Sequence, residues 1–158
     1  MLKPTLQALL LADHVYQDKA SGKKIIAGTF NVLNVRKPKP AADDTTSGAQ
    51  EPAKPGEGLR QLSAAEVMRA GSPFAFISLT EIRGPTSLEL RYVDLSNNAV
   101  LVNACFSVTQ EDPLETVEAI VPMPQLPAPH TGVYALELIW NDELMGCLRI
   151  KVVDASDS

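Results

Sequence analysis

Two cysteines and two histidines in 158 residues leave little material for chemistry. No Cys-x-x-Cys or His-x-x-x-His spacing occurs, so Cys105, Cys147, His14 and His130 form no zinc or redox signature. Two cysteines also fall short of the disulfide framework of a small secreted domain. Basic runs are missing, and 14 Lys and Arg against 19 Asp and Glu give a net charge of −5. That balance speaks against nucleic-acid binding, which wants a basic stripe. No apolar run approaches the ~20 residues of a membrane-spanning helix. There is no Gly-x-Ser-x-Gly elbow for a nucleophilic serine. Gly22-Lys23-Lys24 lacks both the glycine loop and the Ser or Thr of a phosphate-binding loop. Asp13 and His14 stand side by side, but neighbours on a strand point to opposite faces and make no dyad. Asp13, Asp18 and Asp94 follow no calcium-loop pattern. The expectation is no catalytic residue, no metal and no cofactor.

What the chain does have is length for one core, and 45% hydrophobic residues to build it. The leucine-rich start, MLKPTLQALLLADHV, resembles a short export signal. Gln7 and Asp13 interrupt it, and no small-x-small site precedes the break. It reads better as a strand buried on both faces, which makes the expected location cytoplasmic.

Strand patterns follow throughout. Leu6–Tyr16 and residues 25–35, joined by the polar turn DKASGKK, form a predicted antiparallel hairpin, with Gly28 marking a bulge or a close backbone approach. Residues 36–61 are rich in Pro, Gly, Ala and charge and contain no aromatic residue. They read as a loop insertion that buries too little apolar surface to order itself. Ser63 and Glu66 then form a capping box, Leu62 and Val67 a staple, and Gly71 a stop, predicting a short helix over about 64–70. PFAFISLTEI, 73–82, is a nearly continuous apolar run and reads as a central strand. SLELRYVD alternates. AVLVNACFSV places Val100, Val102, Ala104, Phe106 and Val108 on one face, opposite Leu101 and Cys105. LETVEAIVPMP ends at prolines that cannot donate to a ladder.

The last hairpin is the clearest. Tyr134, Leu136, Leu138 and Trp140 share a face with Leu148, Ile150 and Val152, and Asn141-Asp142 suits turn positions of positive φ. Both cysteines fall opposite the core residues and read as free thiols. The tail, 155–158, is polar and expected to fray. The whole predicts a single domain over 1–154: an all-β, antiparallel sandwich of 7–8 strands. His130-Thr131-Gly132-Val133-Tyr134 is similar to a tyrosine corner, in which the hydroxyl bonds backbone a few residues upstream. Here His130 stands where Asp is frequent.

Leu11, Asp13, Gly22, Lys23, Gly28 and Phe30 at the start, and Gly132 and Tyr134 near the end, resemble an uncharacterised bacterial family of small immunoglobulin-like domains. The resemblance implies an immunoglobulin-like β-sandwich and no particular activity. The 36–61 insertion departs from the family, whose members cross here by a short Pro-containing segment.

With chemistry absent, surface remains. Val133, Ala135 and Ile139 lie opposite the core face of their strand, and with Leu101 they form a candidate partner surface. The expected function is a non-catalytic protein-binding or assembly module, taking a protein partner or forming a homo-oligomer, with no nucleic acid and no membrane. The alternative is a small-ligand or carbohydrate-binding domain using loops at one end of the sandwich, with Tyr16 as its exposed aromatic.

Overall fold

The computed structural model describes residues 2–36 and 72–157. Nine strands run in order: β1 (Thr5–Gln17), β2 (Lys24–Phe30), β3 (Val32–Val35), β4 (Phe74–Thr80), β5 (Gly84–Asp94), β6 (Ala99–Gln110), β7 (Val117–Pro122), β8 (Gly132–Trp140) and β9 (Glu143–Asp154). They form a four-stranded sheet, β2-β1-β4-β7, and a five-stranded sheet, β3-β9-β8-β5-β6, which curls into a half-barrel. The described residues are thus all-β in two sheets. The helix predicted over 64–70 and most of the 36–61 insertion lie outside them.

One apolar core joins the two sheets. Leu11, Ile77 and Leu79 of the smaller sheet meet Leu88, Leu90, Tyr134, Leu136, Leu138 and Ile150 of the larger. The period-two alternation of each strand supplies this inward set. β4 is buried on both faces, as its apolar run predicts. Ala75, Ile77 and Leu79 enter the core, while Phe76 and Ser78 are buried on the other side. The end of the β1–β2 hairpin folds back across that outer face, since Lys24 Nζ meets Glu118 Oε2 of β7 at 2.6 Å.

Residues 25–35 make two strands rather than one. The chain bends at Asn31, so β2 pairs with β1 while β3 leaves for the other sheet and runs parallel to β9. At Gly28 the expected close approach is present, while the β1–β2 register runs through without a bulge. The Gly28 φ is +71°, and a Cβ there would lie 2.5 Å from Asp13 Oδ2. The β8–β9 turn forms at Asn141 and Asp142 with φ of 48° and 63°, as their residue types predict. Instead of simply fraying, Ala155–Asp157 forms a 3-10 turn, which Asp154 anchors by accepting from the Ser156 amide and hydroxyl.

β6 carries a second departure. Tyr92 pairs with Val102 but Val93 pairs with Val100, so Leu101 is an extra residue on its strand. The bulge shifts the alternation. Leu101 packs against the core, and Val100, expected inside, is 51% exposed.

Candidate functional site

The outer face of the five-stranded sheet was the expected partner surface, and its four residues end in different places. Val133 is 43% exposed. Ala135 and Ile139 face outward but are buried. Ala135 lies between Val93 and Arg149, and Ile139 between Glu89 and Leu144, so longer neighbours overtop them. Glu89 also holds Arg91 through two bonds of 2.7 and 2.9 Å, stiffening this face. Leu101 has turned into the core for the reason given above. A continuous apolar stripe is therefore not what the fold presents; Val133 alone of the four stands in an open site.

That site is a groove of about 510 Å³. Asn34 of β3, Val133 of β8, and Lys151 and Val153 of β9 line it, with Thr131 and Gly132 at one end. It exists because β3 crosses from the other sheet and docks parallel to β9. Val32 pairs with Lys151 and Asn34 with Val153, so the polar Asn34 falls on the outside while Leu33 and Val35 pack inward. The groove offers an apolar floor, one ammonium and one side-chain amide. These can hold an extended chain segment by contact and hydrogen bonding. The convergence of Asn34, Lys151 and Val153 is not legible in the sequence, because it depends on a parallel pairing across more than a hundred residues.

Beside the groove stands a polar cluster. Asp94 ends β5 and is buried at 1% exposure. Its Oδ1 accepts from the Ser96 amide at 2.9 Å and the Ser96 hydroxyl at 2.7 Å. Its Oδ2 meets His130 Nε2 at 2.5 Å. His130 Nδ1 lies 2.9 Å from the Thr131 carbonyl, which can only accept. Both ring nitrogens thus face acceptors, an arrangement that favours the imidazolium. The hydrogen bond to Thr131 and then that to Asp94 raise its pKa above the ordinary histidine value, against the pull of burial. Burial pushes Asp94 upward, but the Ser96 bonds and His130 outweigh it and hold the carboxyl below its usual range.

Ser, His and Asp are the residue types of a hydrolytic triad, yet they are assembled differently here. A general base needs a free imidazole nitrogen beside the nucleophile. Here Nε2 faces Asp94 Oδ2 at 2.5 Å, and the Ser96 hydroxyl lies 3.5 Å from that nitrogen but only 2.7 Å from Asp94 Oδ1, so the serine bonds chiefly to the carboxylate. The cluster is a lock on the corner entering β8. Tyr134 completes it by donating its hydroxyl to the His130 carbonyl at 2.7 Å. The backbone return expected of a tyrosine corner is thus formed, with the histidine side chain clamping a carboxylate on the neighbouring strand. Among the described residues, no three His, Cys, Asp or Glu side chains are grouped to hold a metal.

Tyr16 is 53% exposed and its ring stacks on His14 at 5.7 Å. His14 and Asp13 point to different sides, as neighbours on a strand must. Cys105 and Cys147 are free and exposed. No helix among the described residues is long and apolar enough to cross a membrane. Compared with known proteins, the chain matches no family model and no curated protein.

Proposed function

We propose that this chain is an immunoglobulin-like β-sandwich serving as a non-catalytic protein-binding module, and that its groove receives an extended segment of a partner. One observation carries the reading. The groove at Asn34, Val133, Lys151 and Val153 joins an exposed apolar floor to fixed polar groups, on strands that the core holds rigid. Rigid elements with a few convergent polar groups are what peptide recognition uses. The neighbouring polar residues support the same reading, because Asp94, Ser96 and His130 are committed to holding the groove's end in place.

Crosslinking mass spectrometry on cell extract, with the wild-type chain and Val133→Glu, tests it. The substitution buries a carboxylate in any occupied groove and is expected to remove the specific partners. Leu114→Glu, at an exposed position away from the groove, is expected to retain them. An unchanged set of crosslinks at Val133→Glu overturns the reading.

Tyr16 supports a second reading. An exposed ring stacked on an imidazole is a platform of the kind that sugars dock on. Glycan-array binding that disappears in Tyr16→Ala would favour it; an array without signal removes it.

A further inference from the structure

Among the described residues, the strands carry four cationic side chains: Lys24 on β2, Arg91 on β5, and Arg149 and Lys151 on β9. Two are matched within the chain. Lys24 meets Glu118 at 2.6 Å, and Arg91 meets Glu89 at 2.7 Å. Arg149 and Lys151 are exposed and hold no carboxylate among the described residues. They stand two residues apart on one strand, so both project from the outer face of the sheet. Val153 follows at the same interval and lines the groove. In register with Lys151 lie Val32 on β3 and Val133 on β8, each 43% exposed. The carboxylates on this face are turned to other groups. Glu89 holds Arg91, and Glu137 stands opposite Arg91. Asp154, at the end of the groove, is buried and accepts from Ser156. A chain with 19 acidic residues against 14 basic ones thus leaves two neighbouring strand cations unmatched beside an apolar groove.

We propose that the occupant of the groove is a short, extended, acidic segment of a partner protein, with two carboxylates at alternate positions on Arg149 and Lys151 and an apolar side chain, two residues further on, over Val153. The proposal rests on the groove reading and adds the chemistry of what enters it. Charge complementarity selects the acids. Spacing selects their interval. Same-face side chains recur about every 6.6 Å along a strand, and an extended peptide repeats that interval at its own alternate positions. Two acids separated by one residue therefore meet both cations at once. Val32 and Val133 flank Lys151 and give the stems of the incoming side chains an apolar surround. β9 is an interior strand of its sheet, so the backbone under the cations is fixed before the partner arrives and little ordering is required. A nucleic acid fits worse. It carries a charge at every phosphate beyond the two that the cations match, and those would meet the acidic remainder of a chain of net −5. A short acidic segment ends before reaching it.

Panning a random decapeptide display library on the immobilised full chain tests it. The wild-type chain is expected to enrich two acidic residues separated by one position, with an apolar residue at the same interval beyond them. A synthetic peptide of that pattern is expected to bind roughly tenfold or more tighter than the same peptide with both acids changed to amides. Arg149→Ala combined with Lys151→Ala removes that difference. Lys19→Ala combined with Lys23→Ala deletes the same charge from the β1–β2 turn and keeps it. All four side chains are exposed, and an unchanged circular dichroism spectrum confirms the fold of each variant. Enrichment of apolar sequences without acids overturns the proposal and leaves the groove reading standing. An acidic preference that persists without Arg149 and Lys151 overturns it, as does a single-stranded dodecanucleotide that binds as tightly as the peptide. A library that yields no binder also overturns it, and the crosslinks of Val133→Glu then decide the groove reading separately.

Discussion

Two stacked tyrosines are expected to respond in opposite directions to loss of one oxygen. Tyr92 of β5 and Tyr134 of β8 stack with centroids 5.4 Å apart at 14°, and both are fully buried. Tyr134 donates to the His130 carbonyl at 2.7 Å, while the Tyr92 hydroxyl is buried without a partner. Tyr134→Phe removes a hydrogen bond worth about 1 kcal/mol and strands an acceptor, for a total loss of about 2 kcal/mol. Tyr92→Phe removes a group whose unpaired burial costs about 1–3 kcal/mol, against a small loss of packing, so a gain of about 1 kcal/mol is expected. Both variants keep the ring, so stacking cancels in the comparison. For a chain of this size the shifts correspond to a fall of about 4–8 °C and a rise of about 2–4 °C in melting temperature. Trp140 is the single tryptophan and is buried, so its fluorescence reports urea unfolding directly. Burial, aided by Tyr134 and Asp94, also raises the Tyr92 pKa well above the ordinary tyrosine value. The unfolded chain ionises first, so stability falls as pH rises above about 10, and Tyr92→Phe removes part of that slope. If both variants shift stability the same way, the assignment of hydrogen-bonded and orphan hydroxyls is wrong.

The His130–Asp94 lock makes stability depend on pH at both ends. Because the folded His130 pKa is raised, its contribution is complete below the ordinary histidine value, and is lost as pH climbs through the higher folded one. Because the folded Asp94 pKa is lowered, its contribution is present above the usual carboxylate value and is lost as pH falls through the lower folded one. His130→Gln should flatten the alkaline slope in urea midpoints measured between about pH 5 and about pH 9; an unaltered slope would count against the imidazolium. Gly28→Ala should cost about 1–2 kcal/mol for the left-handed backbone alone, plus the collision with Asp13. Gly146→Ala should cost less, because its Cβ meets only the movable Leu6 Cδ2 at 2.6 Å. Equal losses in thermal melts would refute that ordering.

Local pattern carried most of the fold. The apolar run in β4 announces burial on both faces, and Asn141-Asp142 announces its turn. The Thr-Gly-Val-Tyr stretch marks the corner with its upstream bond. These features are decided within a few residues of themselves, where propensity and alternation act. Others are decided elsewhere. Residues 25–35 are uniformly β-forming, so nothing local marks Asn31 as the point where the chain changes sheets. Leu101 is extra only relative to β5, and a bulge is a property of the pair. Asp94 and His130 are 36 residues apart, and become partners only because β5 and β8 lie side by side.

The β6 edge shows the same limit in its sharpest form. An uncharged, alternating strand is the expected composition for the interior of a sheet, where neighbours on both sides satisfy its main chain. AVLVNACFSV shows its alternation in the sequence, but not whether the strand has one neighbour or two. What changes its meaning is topology, since the sheet ends at β6.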